Sequence, residues 1–172
     1  MTFVLVAGRI LEYTLCGDPH GEAILHIHGF GGTALQVAQV HIKHFVEASF
    51  VFDRLCAMQP SMCEVYRRLH LHLVAPSIPG FGHSDSHPFG HTRRISEWAD
   101  TMRQLLAQEK IDNFYIAGTS FGCMHAAAVA AAFPERVMGI ALFTPTSPSE
   151  FDSEIGAQLA AATAVSICIL PG

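Results

Sequence analysis

Lysine occurs only twice in the 172 residues, and the formal net charge is -5. With so few cationic side chains no basic face forms, so binding to a nucleic-acid backbone has no electrostatic support. The five cysteines (Cys16, Cys56, Cys63, Cys123, Cys168) are odd in number and scattered, with no CxxC spacing. That excludes a paired-thiolate metal motif and predicts buried thiols in a reducing compartment. No apolar run reaches the roughly 20 residues that a bilayer span needs. The apolar start is interrupted by Arg9, too early for a secretory leader. The expectation is a soluble cytoplasmic protein without a membrane span. Internal repeats and low-complexity segments are absent as well.

What is present suits a buried parallel sheet, for half of the residues are hydrophobic and only 15% are charged. The length accommodates one domain with a sizeable core. The most informative stretch runs from Phe114 to Gly122, with Gly118-Thr119-Ser120-Phe121-Gly122 at its centre. An apolar run, Phe114 to Ala117, predicts a strand entering this turn, and Cys123 to Phe133 predicts a helix leaving it, stopped by Pro134. Glycines two residues either side of Ser120 let strand and helix approach without side-chain clash. Ser120 then stands at a helix N-terminus, where the dipole favours developing negative charge. Cys123 beside it reads as packing.

Along the chain, Phe3 to Val6 and Arg9 to Thr14, flanking Ala7-Gly8, predict a hairpin or a pair of short strands. Gly17 to Gly21 is a turn cluster, and Ala23 to His28 is a strand running into His28-Gly29-Phe30-Gly31-Gly32. Thr33 to Glu47 has helical spacing, Ala48 to Leu69 reads as a second helix or an insertion, and His70 to Ala75 is a strand. Pro76 to Asp85 is a turn-rich loop. Ile95 to Gln108 is an amphipathic helix with Trp98, Met102, Leu105 and Leu106 on one face. Val137 to Phe143 is a strand, Thr144 to Ser149 a loop, and Ile155 to Leu170 is apolar with helical character.

A glycine-rich loop between strand and helix presents unpaired backbone N–H groups to an anion. The lysine of a P-loop and a full Gly-x-Gly-x-x-Gly are both missing, which disfavours a nucleotide or dinucleotide site. Paired with the serine turn, the loop is better explained as half of an oxyanion hole. His28-Gly29-Phe30-Gly31-Gly32, then Pro79-Gly80-Phe81-Gly82-His83-Ser84-Asp85, then Gly118 to Gly122 together resemble the α/β-hydrolase superfamily, from about Val4 to Pro145. The resemblance implies a mostly parallel sheet flanked by helices, C-terminally incomplete. It also implies a serine hydrolase of the esterase or lipase kind, acting on a small acyl or ester substrate through an acyl-enzyme at Ser120. The backbone N–H groups of Phe30 and Phe121 are the implied oxyanion donors, and His28, Gly29, Gly31 and His83 the implied substrate-binding positions. Within that set, His28 is expected to stabilise the loop by hydrogen bonding and His83 to line the rim. Ser77 stands where many relatives carry Asp, which puts the rigidity of that loop in question.

A serine nucleophile needs a base, and the base an orienting carboxylate. In this fold the chain order is serine, acid, histidine. All eleven histidines precede Ser120 or closely follow it, the last being His125, which a helix rotates away from the serine. The pairs His26/His28, His41/His44 and His70/His72 lack acidic or cysteine ligands at familiar spacing, so neither metal nor cofactor is expected. Asp152 and Glu154 are candidates for the acid. The division expected is residues 1–149 as the N-terminal part of the hydrolase domain and 150–172 as the start of a lid or an unrelated tail. Stopping about two strand–helix units early leaves an apolar edge strand and a route to self-association. The competing function is a catalytically silent scaffold that binds a small apolar ligand or a partner chain.

Overall fold

The computed structural model describes residues 2–39, 62–87, 95–143, 145 and 168–171. Strand β1 (Thr2–Val6) pairs antiparallel with β2 (Arg9–Gly17). The hairpin turns on Ala7 and Gly8, both at positive φ, the two-residue geometry whose twist matches the strands it joins. Then follow β3 (Glu22–Ile27), α1 (Ala34–Gln39), α2 (Met62–Arg68), β4 (Leu71–Pro76), α3 (Ser96–Gln108), β5 (Phe114–Thr119), α4 (Gly122–Ala132), β6 (Val137–Phe143) and β7 (Cys168–Pro171).

These strands form one sheet in the order β1-β2-β4-β3-β5-β6-β7. Its centre, β4-β3-β5-β6, is parallel, and the flanking pairs are antiparallel. Crossover helices cover both faces, as parallel connections require. On one face Trp98, Met102, Leu105 and Leu106 of α3 pack with Ala126 and Val129 of α4 over Leu25, Ile27, Phe114 and Ile116. On the other, Val37 of α1 and Tyr66 of α2 cover Leu73 and Ala75 of β4. The α3 stripe predicted from its spacing is therefore the helix's contribution to the core.

Two expectations are corrected. Cys16 and Cys63 are joined in a disulfide that ties β2 to α2, where the scattered cysteines predict free thiols. A separation of 47 residues carries no spacing signal, so only the folded arrangement of strand and helix brings the two thiols together. Residues 168–170 lie in a strand, where the run from Ile155 to Leu170 predicts helix. Apolar runs without a polar face do not separate the two conformations. As a result β6 is not left bare: Gly139 to Leu142 pair with Cys168 to Pro171, and the outermost strands are β1 and β7. The continuation of the Thr33–Glu47 helix past Gln39, most of Ala48–Leu69, the loop to Ser149 apart from Pro145, the acids Asp152 and Glu154, and His41 and His44 lie outside the described residues. Among the described residues, no helix is long and apolar enough to cross a membrane.

Candidate active site

Parallel strands β3 and β5 are neighbours, with Ile27 beside Gly118, so the two loops that leave their carboxyl ends meet. The loop after β5 is the tighter. Ser120 has φ +50°, a left-handed conformation uncommon for a side-chain-bearing residue, and it is reached between a strand and a helix. Ser120 N–H donates to Phe143 O at 2.9 Å, and Cys123 N–H donates to Ser120 O at 2.9 Å. These two bonds fix the strained residue from both sides. Ser120 itself is only half-buried.

The glycines around Ser120 are there for space. A Cβ on Gly118 would lie 2.8 Å from Cys123 Cα and 2.9 Å from Ala126 Cβ. On Gly122 it would meet the carbonyls of Ile27 and His28, at the end of β3. The start of α4 is thereby pressed directly onto the strand that carries the glycine loop. Gly29 belongs to the same contact, for a Cβ there would lie 3.4 Å from Ser120 Cβ.

Phe30 is 80% exposed, and its ring meets Phe121 edge-on at 6.1 Å and Phe81 at 5.7 Å. Phe121 in turn packs on His125 at 4.9 Å, and His125 on Trp98 at 5.8 Å. Phe30, Phe81 and Phe121 thus form an aromatic cluster beside the serine turn. Among the described residues, the N–H groups of Phe30 and Phe121 have no acceptor within the protein. Phe121 opens α4 with φ −53° and ψ −32°, where helix N–H groups have no partner in the preceding turn. Two such N–H groups beside a serine can bind a developing oxyanion.

His28 is buried beneath the loop. Ile78 N–H donates to its Nε2 at 2.9 Å, so Nε2 is the acceptor and Nδ1 carries the proton, which it gives to Gly29 O at 2.7 Å. Burial holds its pKa below the usual histidine range. Both nitrogens being engaged, His28 is a strut of the glycine loop. Gly31, at φ +75°, has open space where a Cβ would stand. His83 is exposed, and its ring meets Phe3 of β1 at 6.3 Å.

Four further histidines are engaged elsewhere in the protein. His26 bridges Tyr66 Oη at 3.1 Å and Thr119 Oγ1 at 3.0 Å, with its ring stacked on Phe143. Burial first, and the neighbouring His28 second, lower its pKa to about 4. His125 is fully buried, with Nδ1 3.3 Å from Phe121 O. His70 pairs with Asp18 at the opposite end of the sheet, and His87 with Glu97 at the start of α3. Cys123 Sγ reaches Gly118 O at 3.2 Å and Phe143 O at 3.4 Å, and burial pushes its pKa up to about 11. A thiol so raised is a packing group and no rival nucleophile.

Sequence reasoning missed Glu12. This β2 carboxylate is 1% exposed and accepts from Ser77 Oγ–H at 2.8 Å and from His83 N–H at 2.9 Å. The one signal was an acidic residue inside an apolar strand.

A three-layer α/β domain with a strained serine turn and a glycine loop at the carboxyl end of its sheet is the architecture of a hydrolase scaffold. The chain belongs to the alpha/beta hydrolase fold family, which it matches over residues 22–162. It is 30% identical over 116 residues to juvenile hormone epoxide hydrolase of Bombyx mori, covering 67% of this chain and 22% of that protein. It is 27% identical over 141 residues to Lipase 1 of Psychrobacter immobilis, covering 81% of this chain and 36% of that protein. The crystal structure of a CIB-like hydrolase from Thermoplasma acidophilum superposes with a TM-score of 0.64 at 21% identity, over 88% of this chain and 65% of that one. This last likeness is one of fold. The chain spans less than two thirds of the length of each of these relatives.

Proposed function

We propose that Ser120 is the nucleophile of a serine hydrolase that cleaves an ester or related acyl bond. In this reading Ser120 Oγ attacks the acyl carbon and the carbonyl oxygen becomes an oxyanion received by the N–H groups of Phe30 and Phe121; its collapse expels the alcohol and leaves an acyl-enzyme, which water hydrolyses to the acid and free Ser120. The observation that carries the reading is the positive φ of Ser120 in contact with Gly29. The aromatic cluster beside the serine turn suits an apolar acyl group. The two curated relatives suggest different chemistries, a lipase and an epoxide hydrolase. Serine at the elbow favours the first, because the family resemblance implies aspartate at that position in epoxide hydrolases.

The general base is a separate matter, since His26 and His28 are engaged within the protein and His125 is buried. We assign it to none of these three. A catalytically silent scaffold is the second reading, favoured by that same observation. Fluorophosphonate labelling tests both: uptake at Ser120 that a Ser120→Ala variant abolishes supports the hydrolase. A folded chain that stays unlabelled with imidazole supplied as external base favours the silent scaffold.

A further inference from the structure

The glycine loop from His28 to Thr33 is held at its two ends by two consecutive residues of another loop. At one end Ile78 N–H donates to His28 Nε2 at 2.9 Å. At the other, Ala34 N–H, which opens α1, donates to Ser77 Oγ at 2.8 Å. A hydroxyl has one proton and can point it either way, so the second clamp works only if Ser77 keeps its lone pairs toward Ala34. Glu12 sees to that. Ser77 Oγ–H donates to its Oε2 at 2.8 Å, which leaves the Ser77 lone pairs for Ala34 N–H. Ser84 reinforces the arrangement by donating to Ser77 O at 2.9 Å and accepting Glu12 N–H at 3.0 Å. Gly82 leaves the room, since a Cβ there would collide with Glu12 Oε2.

We propose that Glu12 is a positioning residue for the glycine loop: through Ser77 it holds the backbone from Gly29 to Ala34, the Phe30 N–H included, in place against Ser120. Its catalytic consequence rests on the reading of Ser120 given above, whereas its effect on the loop does not. The acceptor for Ala34 N–H is the Ser77 hydroxyl, and the β2 carboxylate orients that hydroxyl across 65 residues of sequence.

The test is amide hydrogen exchange of residues 29–34, read beside the amides of β3, β5 and β6 as internal controls, in the full chain. Glu12→Gln lets the Ser77 hydroxyl turn, and is expected to speed exchange at Ala34 about tenfold, the size of one weakened buried hydrogen bond. The control strands keep their protection. Ser77→Ala, which deletes the acceptor outright but leaves Glu12 to His83 N–H, is expected to do the same if Glu12→Gln fails to fold. The double variant Glu12→Gln with Ser77→Asp moves the carboxylate to position 77, where it accepts from both Ala34 N–H and the side-chain amide introduced at position 12, and is expected to restore slow exchange. Unchanged exchange at 29–34 overturns the proposal, as does faster exchange spread evenly over β3, β5 and β6. Fluorophosphonate labelling of the same samples separates the two readings: an unlabelled wild-type chain with the loop effect intact counts against Ser120 alone.

Discussion

Gly122→Ala adds one methyl group at the point where α4 presses on β3. The new Cβ would lie 2.5 Å from His28 O and 2.9 Å from Ile27 C, and closer still to Ile27 O. Relief requires about 1 Å of retreat, because non-bonded carbon contacts settle at roughly 3.5–4.0 Å. The obstructing atoms are backbone, at the end of a strand paired on both sides with β4 and β5, so they have little freedom to move. Overpacking of this kind costs about 1–3 kcal/mol, and rigid neighbours put this site at the upper end. Gly122 is not at positive φ, so alanine brings no backbone strain and recovers up to about 1 kcal/mol of helix propensity. The net loss is about 2 kcal/mol, the difference between those two terms. In a chain of this length each kcal/mol moves Tm by about 2–4 °C, so the Tm followed by circular dichroism is expected to fall by roughly 4–8 °C. A variant as stable as the wild type would refute the argument that the elbow and the glycine loop are in rigid contact.

Two further outcomes follow from other parts of the structure. Reducing the Cys16–Cys63 disulfide, or replacing Cys16 with Ser, removes a closed loop of 47 residues in separation. By loop-closure entropy that costs about 4 kcal/mol, a Tm drop of roughly 8–16 °C, and an unchanged Tm on reduction would mean the thiols are not paired in solution. His26 supplies a pH dependence whose sign is fixed by its pKa, lowered from 6.5 to about 4. Between those values the unfolded chain binds the proton and the folded chain does not, so stability is full above pH 6.5 and is lost as pH falls toward 4. From about pH 7 to about pH 5 the loss is about 2 kcal/mol, and His26→Gln is expected to flatten the Tm profile in that window. A variant with the wild-type slope would show that another group carries it.

The parts of the fold that are legible in the sequence are those dictated by local sterics and period. Gly118 and Gly122 announce the turn because no other residue fits there, and Trp98, Met102, Leu105 and Leu106 announce the buried face of α3 by their spacing. What escapes depends on distant partners. Glu12 looks like a solvent-facing residue until Ser77 and Gly82 are folded over it, and Cys16 finds Cys63 only once α2 lies against β2. The run ending at Leu170 offers no polar face by which to tell strand from helix, and β6 decides in favour of a strand for residues 168–171. The site divides in the same way. Ser120, Gly29 and the Phe30 and Phe121 backbones are readable from motifs that sit in consecutive residues, while the support beneath them is assembled from β2 and the loop after β4.

Nucleophilic attack by Ser120 is the central claim, and the most direct measurement is mass-spectrometric location of a fluorophosphonate label on the folded chain. Reactions are run with and without imidazole and beside Ser120→Ala. The result expected is a single phosphonyl group on Ser120, taken up faster when imidazole supplies the base and absent from the variant. A label on another residue, or none on Ser120 with imidazole present, would contradict it.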